Sequence, residues 1–326
     1  MYPYTIYNME TTGNLAEQFK SLGYSTTAMH PNHATNWNRE NVYKDFGFDQ
    51  FLSINDFQGA DTLRGMVTDQ ATYDKILELL DQNADPQFIF DVTMQNHSGY
   101  DTGLLPADKQ MHLNIDTTDL DAKTVEDDTL SDVDEYVSCI EQSDQALRYF
   151  LNALNKLDRK VVVVFWGDHQ PFFPSKFNDK WFTDEDDATH QERLWQTDYI
   201  IWANYDVAGC DQTSEVDDLS TNYLSTQLMQ LIGAPLSDYQ KAHMTLRESL
   251  PAINSVATRT PACAGRSPPT SPVTTTRRGC HQAREDYAKM QYYEMFRDGK
   301  NVYTEHFQTE ANETDPNLAP GTTKIK

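Results

Sequence analysis

The sequence contains no run of eighteen apolar residues, so it predicts no helix that spans a membrane. Its first residues, MYPYTIYNMETTGNLAEQF, have neither a basic start nor an apolar stretch, so they are not typical of a signal peptide. The four cysteines stand far apart and show no metal-binding spacing. A cysteine-based metal site is therefore not predicted, and the cysteines leave the redox compartment open.

Positive charge is scarce. The chain has 26 Lys and Arg residues against 50 Asp and Glu residues, a formal net charge of -24 and a pI of about 4.6. Such a chain repels the phosphate backbone of nucleic acids, so nucleic acid is not expected as a partner. An anionic substrate would need a local positive site, such as a bound metal or a well-placed arginine.

Apolar residues are present in the right amount and order for a folded α/β domain. The 326 residues are 38% hydrophobic and 11% aromatic, which suits one large domain or one with a smaller appendage. Runs that are typical of strands alternate with runs that have helical spacing. The strand-like segments are 24–30, 88–94, 161–165 and 198–206, and helices are predicted near 15–22, 72–80, 136–154 and 223–233. This alternation predicts a largely parallel sheet.

Polar residues follow three of the predicted strands directly. His30, His97 and the pair Asp168-His169 each stand at the carboxyl end of an apolar run. Ligands of open α/β sheets bind beyond the carboxyl ends of the strands. We therefore interpret these residues as one candidate site.

Asp168 and His169 end the segment VVVVFWGDHQP, at 161–171. An aspartate oxygen and a histidine nitrogen can both bind a divalent cation, and a strand end holds them rigidly. The alternative is structural: Asp168 would cap a turn, and His169 would be an ordinary surface residue.

The segment HPNHATNWNRE, at 30–40, offers the groups that bind a phosphate or sulfate ester. Arg39 has a guanidinium fork for the anion, and Trp37 has a flat face for a glycerol or sugar skeleton. His97 could bind a phosphate oxygen or protonate a leaving group. Alternatively, Trp37 anchors a surface loop to the core and His97 is a turn residue.

Four motifs occur in this order: H-x6-W-N-R at 30–39, GFDQF at 47–51, NH at 96–97 and GDH at 167–169. From about residue 14 to 234, this layout resembles the lipoteichoic acid synthase and phosphoglycerol transferase family. That family is a sulfatase-like branch of the alkaline phosphatase superfamily.

The resemblance implies an alkaline-phosphatase/sulfatase-like sandwich and transfer of glycerol-phosphate through a phosphothreonine. The donor would be a phosphatidylglycerol-like lipid, and the acceptor a glycan or polyglycerolphosphate. By resemblance, Asp168 and His169 bind the metal, most simply Mn²⁺ with Mg²⁺ or Zn²⁺ as alternatives. His30, Trp37, Arg39 and His97 would hold the glycerol-phosphate, with His97 also catalytic.

The family places its nucleophilic threonine, an acidic metal ligand and its membrane helices before the region that matches. We therefore expect a member truncated at its N-terminus, without the first strand and inactive by itself. The catalytic domain of the family would act at the outer face of the cell membrane. Pro31 also stands where the family commonly has glycine.

Two other functions stay open: a sulfatase or phosphoesterase-type hydrolase, and a non-catalytic module that binds glycerol-phosphate or anionic glycans. The sequence predicts a sulfatase-like domain over 1–234 and a C-terminal helical flank over 235–326 that ends in a flexible tail. Within the flank, 257–284 contains no acidic residue and five arginines. This stretch is either a Pro/Thr-rich linker or a segment translated in another reading frame.

Overall fold

The computed structural model describes residues 3–5, 7, 9–10, 12–100, 102–119, 129–173, 175–207, 219–253, 258–259 and 273–296. These residues form two compact units. The first contains the described residues up to Leu157 and those of Pro171–Thr183, and the second contains Asp158–Gln170 and the described residues from Asp184 onward. The boundary after residue 234 stays a prediction.

The first unit alternates strands with helices, as the apolar pattern predicts. Its strands are β1 (Ser25–Met29), β2 (Gln50–Leu52), β3 (Thr62–Leu63), β4 (Met66–Val67) and β5 (Gln87–Asp91). Its helices are α1 (Leu15–Ser21), α2 (Arg39–Asp45), α3 (Asp69–Gln82), α4 (Thr129–Leu154) and α5 (Ser175–Asn178).

A parallel sheet forms the centre of this unit, in the order β2-β1-β5. Thr27 is opposite Gln50 of β2, and Met29 is opposite Asp91 of β5. The three strands therefore end at the same edge. The predicted α/β class with a parallel sheet is confirmed.

Successive strand residues point to opposite sides of the sheet, so each face presents its own set of apolar side chains. Helices cover both faces. On one face, Phe88 stacks on Phe19 of α1 at 4.5 Å, and Phe90 meets Tyr43 of α2 at 6.2 Å between ring centroids. On the other face, Met29 joins a buried apolar cluster to which helix α3 contributes. The cluster consists of Met29, Leu52, Phe57 and Val67, with Ile54, Ala60, Ala71, Ile76, Leu79 and Ile89 packed against it.

Helix α4 begins earlier than the sequence suggests. The apolar spacing predicts this helix from about residue 136, but Thr129, within an acidic stretch, is already the first residue of α4. Thr129, Val133 and Glu135 are buried, so this part of the chain packs against its surroundings, and burial supports helix formation despite the acidic composition. Residues 120–128 lie outside the described residues.

The second unit has strands β6 (Val162–Trp166), β7 (Tyr199–Ala203), β8 (Ala252–Ile253) and β9 (Thr258–Arg259). Its helices are α6 (Asp187–Arg193), α7 (Thr221–Leu231), α8 (Asp238–Ser249) and α9 (Val273–Phe296). Strands β6 and β7 pair antiparallel, with Val164 opposite Ile201. The strand–helix alternation predicts parallel pairing here, but an apolar strand pattern does not determine the direction of its partner.

The unusual stretch 257–284 lies largely outside the described residues. The described part consists of β9 and the first half of α9, so the helix begins at Val273, before the return to ordinary composition at Glu285. None of the helices in the described ranges combines the length and apolar character needed to cross a bilayer.

Candidate functional site

Two polar segments leave the carboxyl edge of the parallel sheet. His30 follows β1 directly, and residues 92–97 continue from β5. Because β1 and β5 are hydrogen-bonded neighbours, both segments leave the same edge. This is the place at which an α/β sheet presents ligand-binding groups.

His30 is almost completely buried, with 1% of its surface exposed. Its Nδ1 lies 2.8 Å from the carbonyl oxygen of Val92, which can only accept, so Nδ1 carries the hydrogen and donates. Burial, and to a lesser extent the nearby Arg39 and His97, lower the pKa of His30 to about 4, although the hydrogen bond to Val92 opposes this. At neutral pH the ring is therefore uncharged, and Nε2 has a lone pair to offer.

Arg39 is the first residue of α2 and is half-buried. Its Nη1 donates to the hydroxyl of Tyr43, 3.1 Å away and one turn along the helix. Its Nε is buried and has no hydrogen-bond partner among the described residues. A buried N–H group without a partner is costly, so a ligand that accepts from this fork would bind favourably.

Trp37 projects from the turn between β1 and α2, with 44% of its surface exposed. Trp37 and Asn38 are both in the left-handed region, with φ of 57° and 56°. This conformation is unusual for a bulky side chain and costs on the order of 1–3 kcal/mol per residue. Such strain is often found at binding sites, which supports a role for the exposed indole face.

His97 lies in a turn, where its backbone N–H donates to the carbonyl of Met94 at 3.0 Å. Its Nδ1 lies 2.7 Å from the carbonyl of Ser98, so Nδ1 also carries the hydrogen. His97 and Arg39 both act on the pKa of His30, so the three side chains are within electrostatic range of one another. The structure thus brings His30, Arg39 and His97 together at this edge.

Asp168 and His169 follow β6 in the second unit, and their side chains are 78% and 72% exposed. Asp168 Oδ1 accepts from the backbone N–H of His169 at 2.9 Å, and His169 Nδ1 lies 2.9 Å from the carbonyl of Gln170. The two residues are in contact with each other, but their convergence with His30, Arg39 and His97 of the first unit stays a prediction.

The donor chemistry of this pair fits a divalent cation. Asp168 Oδ2 and His169 Nε2 are 3.5 Å apart. A carboxylate oxygen and an imidazole nitrogen at this distance could both bind one divalent cation. Within the part of the chain that the structure describes, no group of three or more His, Cys, Asp or Glu side chains could hold a metal. The pair therefore accounts for two ligands only.

Sequence analysis did not single out two buried polar features near this edge. Asp91, the last residue of β5, has both carboxylate oxygens buried without a side-chain partner among the described residues, next to Asp69 at the start of α3. Arg64 forms a buried ion pair with Glu135. An aspartate within the apolar run FIFDVTM was a visible signal for the first feature. Arg64 and Glu135 are 71 residues apart, and nothing in the sequence linked them.

Comparison with known proteins agrees with this geometry. The model of the sulfatase family matches residues 1–234. The chain belongs to the sulfatase family. Members of this family and of the alkaline phosphatase superfamily generally depend on a divalent metal.

Curated relatives of this sulfatase-family chain include proteins of cell-envelope chemistry. A Rhizobium meliloti protein named for cyclic β-1,2-glucan modification is 24% identical over 242 residues, which cover 71% of this chain and 35% of that protein. The lipoteichoic acid synthase of Staphylococcus saprophyticus is 27% identical over 177 residues, 48% of this chain and 25% of the relative. The chain thus spans about a quarter to a third of the length of these relatives.

Solved structures show the same fold. The Streptococcus pyogenes phosphoglycerol transferase GacH, in complex with sn-glycerol-1-phosphate, has a TM-score of 0.57 at 22% identity. The match covers 83% of this chain and 61% of GacH. The Listeria monocytogenes lipoteichoic acid synthase LtaP has a TM-score of 0.52 at 19% identity, over 72% of this chain and 60% of LtaP. The resemblance to the lipoteichoic acid synthase and phosphoglycerol transferase group is confirmed.

Proposed function

We propose that the carboxyl edge of the parallel sheet binds a glycerol-phosphate group. The chain would take part in metal-dependent transfer of this group from a lipid donor to a cell-envelope polymer or glycan. The observation that carries the proposal is the gathering of His30, Arg39 and His97 at one sheet edge, in a chain with a net charge of -24. A locally cationic site in an acidic protein favours an anionic ligand.

Each side chain suits one part of this ligand. The Nε of Arg39 has no partner among the described residues and would donate to a phosphoryl oxygen. Since Nδ1 of His97 already donates to Ser98 O, its Nε2 would donate to the phosphate only in the doubly protonated ring. His30 is neutral, and its Nε2 can only accept, so it suits a glycerol hydroxyl rather than the phosphate. The exposed indole of Trp37 would cover the carbon skeleton.

Asp168 and His169 would hold the divalent cation, for which Mn²⁺ is the first choice and Mg²⁺ or Zn²⁺ the alternatives. When bound, the cation would supply positive charge to the phosphoryl group and activate the attacking hydroxyl. None of the residues assigned here is the family's threonine nucleophile. We therefore expect the 326-residue chain by itself to bind the ligand with little turnover.

The remaining expectations follow from the family resemblance. The donor would be a phosphatidylglycerol-like lipid, and the acceptor a glycan or polyglycerolphosphate. Such a reaction takes place at the outer face of the cell membrane, where both substrates are found. A relative named for glucan modification and one named for lipoteichoic acid synthesis both support an envelope acceptor.

Calorimetric titration of the chain with sn-glycerol-1-phosphate, with and without Mn²⁺, tests the proposal. Arg39→Lys removes the planar fork but keeps the charge, so affinity should fall about tenfold. The matched control is Arg148→Met in α4, because Arg148 is exposed and, among the described residues, forms its ion pair with Asp144 one turn earlier in the same helix. Equal affinity of the wild type and Arg39→Lys, or no binding at all, would contradict the proposal.

Measurements of turnover distinguish the proposed transferase from a hydrolase and from a binding module. Hydrolysis of an aryl sulfate in preference to a phosphatidylglycerol analogue would point to a sulfatase-type hydrolase. Tight binding without turnover, in the presence of Mn²⁺, would support a binding module. Robust turnover that Asp168→Ala abolishes would show that the chain contains its own nucleophile.

A further inference from the structure

A two-residue hairpin holds Arg64 in an unfavourable backbone conformation. Strands β3 and β4 pair with Leu63 opposite Met66, so Arg64 and Gly65 alone form the turn. Their φ angles are 54° and 80°, the positive values of a turn that usually contains Asn-Gly. Arginine is disfavoured at such a position, so hydrogen bonds of its side chain, which asparagine is too short to form, would offset the backbone strain.

The Arg64 guanidinium is completely buried, with 0% of its side chain exposed. All four of its terminal N–H groups are used in hydrogen bonds. Nη1 donates to Gly99 O at 2.9 Å and Glu135 Oε1 at 3.0 Å, and Nη2 donates to Gln95 O at 3.0 Å and His97 O at 2.8 Å. Three of the four acceptors are backbone carbonyls of the segment that contains His97.

Glu135 of α4 balances this buried charge and fixes the next part of the chain. Its carboxylate accepts from Arg64 and also from the backbone N–H and the hydroxyl of Thr102, both at 2.8 Å. Tyr100 adds two contacts. Its ring lies 5.3 Å from Arg64 Cζ, and its hydroxyl donates to Asn96 O at 2.9 Å. Residues 95–100 and Thr102 are thus tied to one network around the buried Arg64–Glu135 pair.

We propose that Arg64, neutralised by Glu135, is a positioning residue that aims His97 at the phosphoryl group. Arg64 does not touch the ligand in this arrangement, but it holds the carbonyls on both sides of His97 and that of His97 itself. A planar fork reaches all four acceptors at once, whereas the single ammonium of lysine has only three N–H groups. The proposal rests on the proposed function, since it assigns His97 to the phosphate.

A double-mutant cycle on the full chain tests this role. Affinity for sn-glycerol-1-phosphate is measured for the wild type, Arg64→Lys, His97→Gln and the double variant. Arg64→Lys should lower affinity about tenfold, close to the loss in His97→Gln. The double variant should lose no more than His97→Gln alone, because Arg64 acts through His97. The exposed Arg148→Met serves as the control and should bind like the wild type.

Imidazole NMR signals of His97 in the ligand-free chain give a second, independent measurement. They should shift in Arg64→Lys and in Glu135→Gln, and stay in place in Arg148→Met. Losses that simply add in the double variant would overturn the proposal, and so would unchanged His97 signals in Arg64→Lys. If the wild type fails to bind glycerol-phosphate, the proposed function fails, and the NMR signals alone decide whether Arg64 positions His97.

Discussion

The buried carboxyl group of Asp91 should make the first unit less stable as the pH rises, and Asp91→Asn should remove this effect. Both oxygens of Asp91 are buried without a side-chain hydrogen-bond partner among the described residues, and the backbone N–H of Val92 only partly offsets this burial. Burial raises the pKa of Asp91 well above its usual range, and the negative charge of Asp69 raises it further. Tyr73 and Tyr43 are also within electrostatic range, but neither carries a positive charge.

The two neighbouring aspartates differ in what surrounds them. Burial also raises the pKa of Asp69, but hydrogen bonds from the side chains of Ser143 and Thr93 and from the backbone of Gln95 oppose this. Asp69 therefore loses its proton first, and its charge then keeps the proton on Asp91. This order makes Asp91 the residue that resists ionisation in the folded chain.

The sign of the effect follows from proton linkage. The unfolded chain releases the Asp91 proton near pH 3.8, whereas the folded chain keeps it to higher pH. The contribution of Asp91 to the free energy of unfolding is therefore greatest below its pKa in the unfolded chain. It falls by about 1.4 kcal/mol per pH unit as the pH rises toward the pKa of Asp91 in the folded chain. The loss stops growing at the pH at which Asp91 ionises in the folded chain.

Urea unfolding at several pH values, followed by circular dichroism, measures this slope. The difference between Asp91→Asn and the wild type is the quantity to plot, because the buried asparagine amide has its own constant cost of about 1–3 kcal/mol. Asp81→Asn, an exposed aspartate on α3, is the matched control. Parallel pH profiles for the wild type and Asp91→Asn would refute the reasoning.

Three further predictions concern other parts of the molecule. Met29→Ala removes a completely buried side chain from the core of the sheet, so the free energy of unfolding should fall by about 2–5 kcal/mol in urea titrations; a loss below 1 kcal/mol would contradict this. The His30 ring should titrate near pH 4 by NMR, and a midpoint near 6.5 would be the contrary result. The free energy of unfolding should decline as the pH falls from 6.5 toward 4, because His30 is protonated in this range only in the unfolded chain. Ser237 caps α8 in a capping box with Gln240, so Ser237→Ala should cost about 1 kcal/mol in thermal unfolding while Ser237→Asp should not; equal melting temperatures would show that the cap is unimportant.

Much of the local structure was predictable from periodicity. The strand at 24–30 is observed as β1, that at 88–94 as β5, and the helical spacing from Tyr136 as α4. The order of the four motifs also identified the family correctly, since a family signature depends on residue types and spacing rather than on packing. The functional roles of all the predicted site residues stay predictions: His30, Trp37, Arg39, His97, Asp168 and His169.

Other features could not be read from local pattern. The sequence alone determined which segments are apolar, where helices end and which polar residues follow the strands, because these properties depend on neighbours within a few positions. Only the tertiary structure decided the antiparallel pairing of β6 with β7, the helical start at Thr129 and the burial of Arg64 against Glu135. Each of these depends on groups that are distant along the chain and that lose water together on folding, so no short stretch of sequence contains the information.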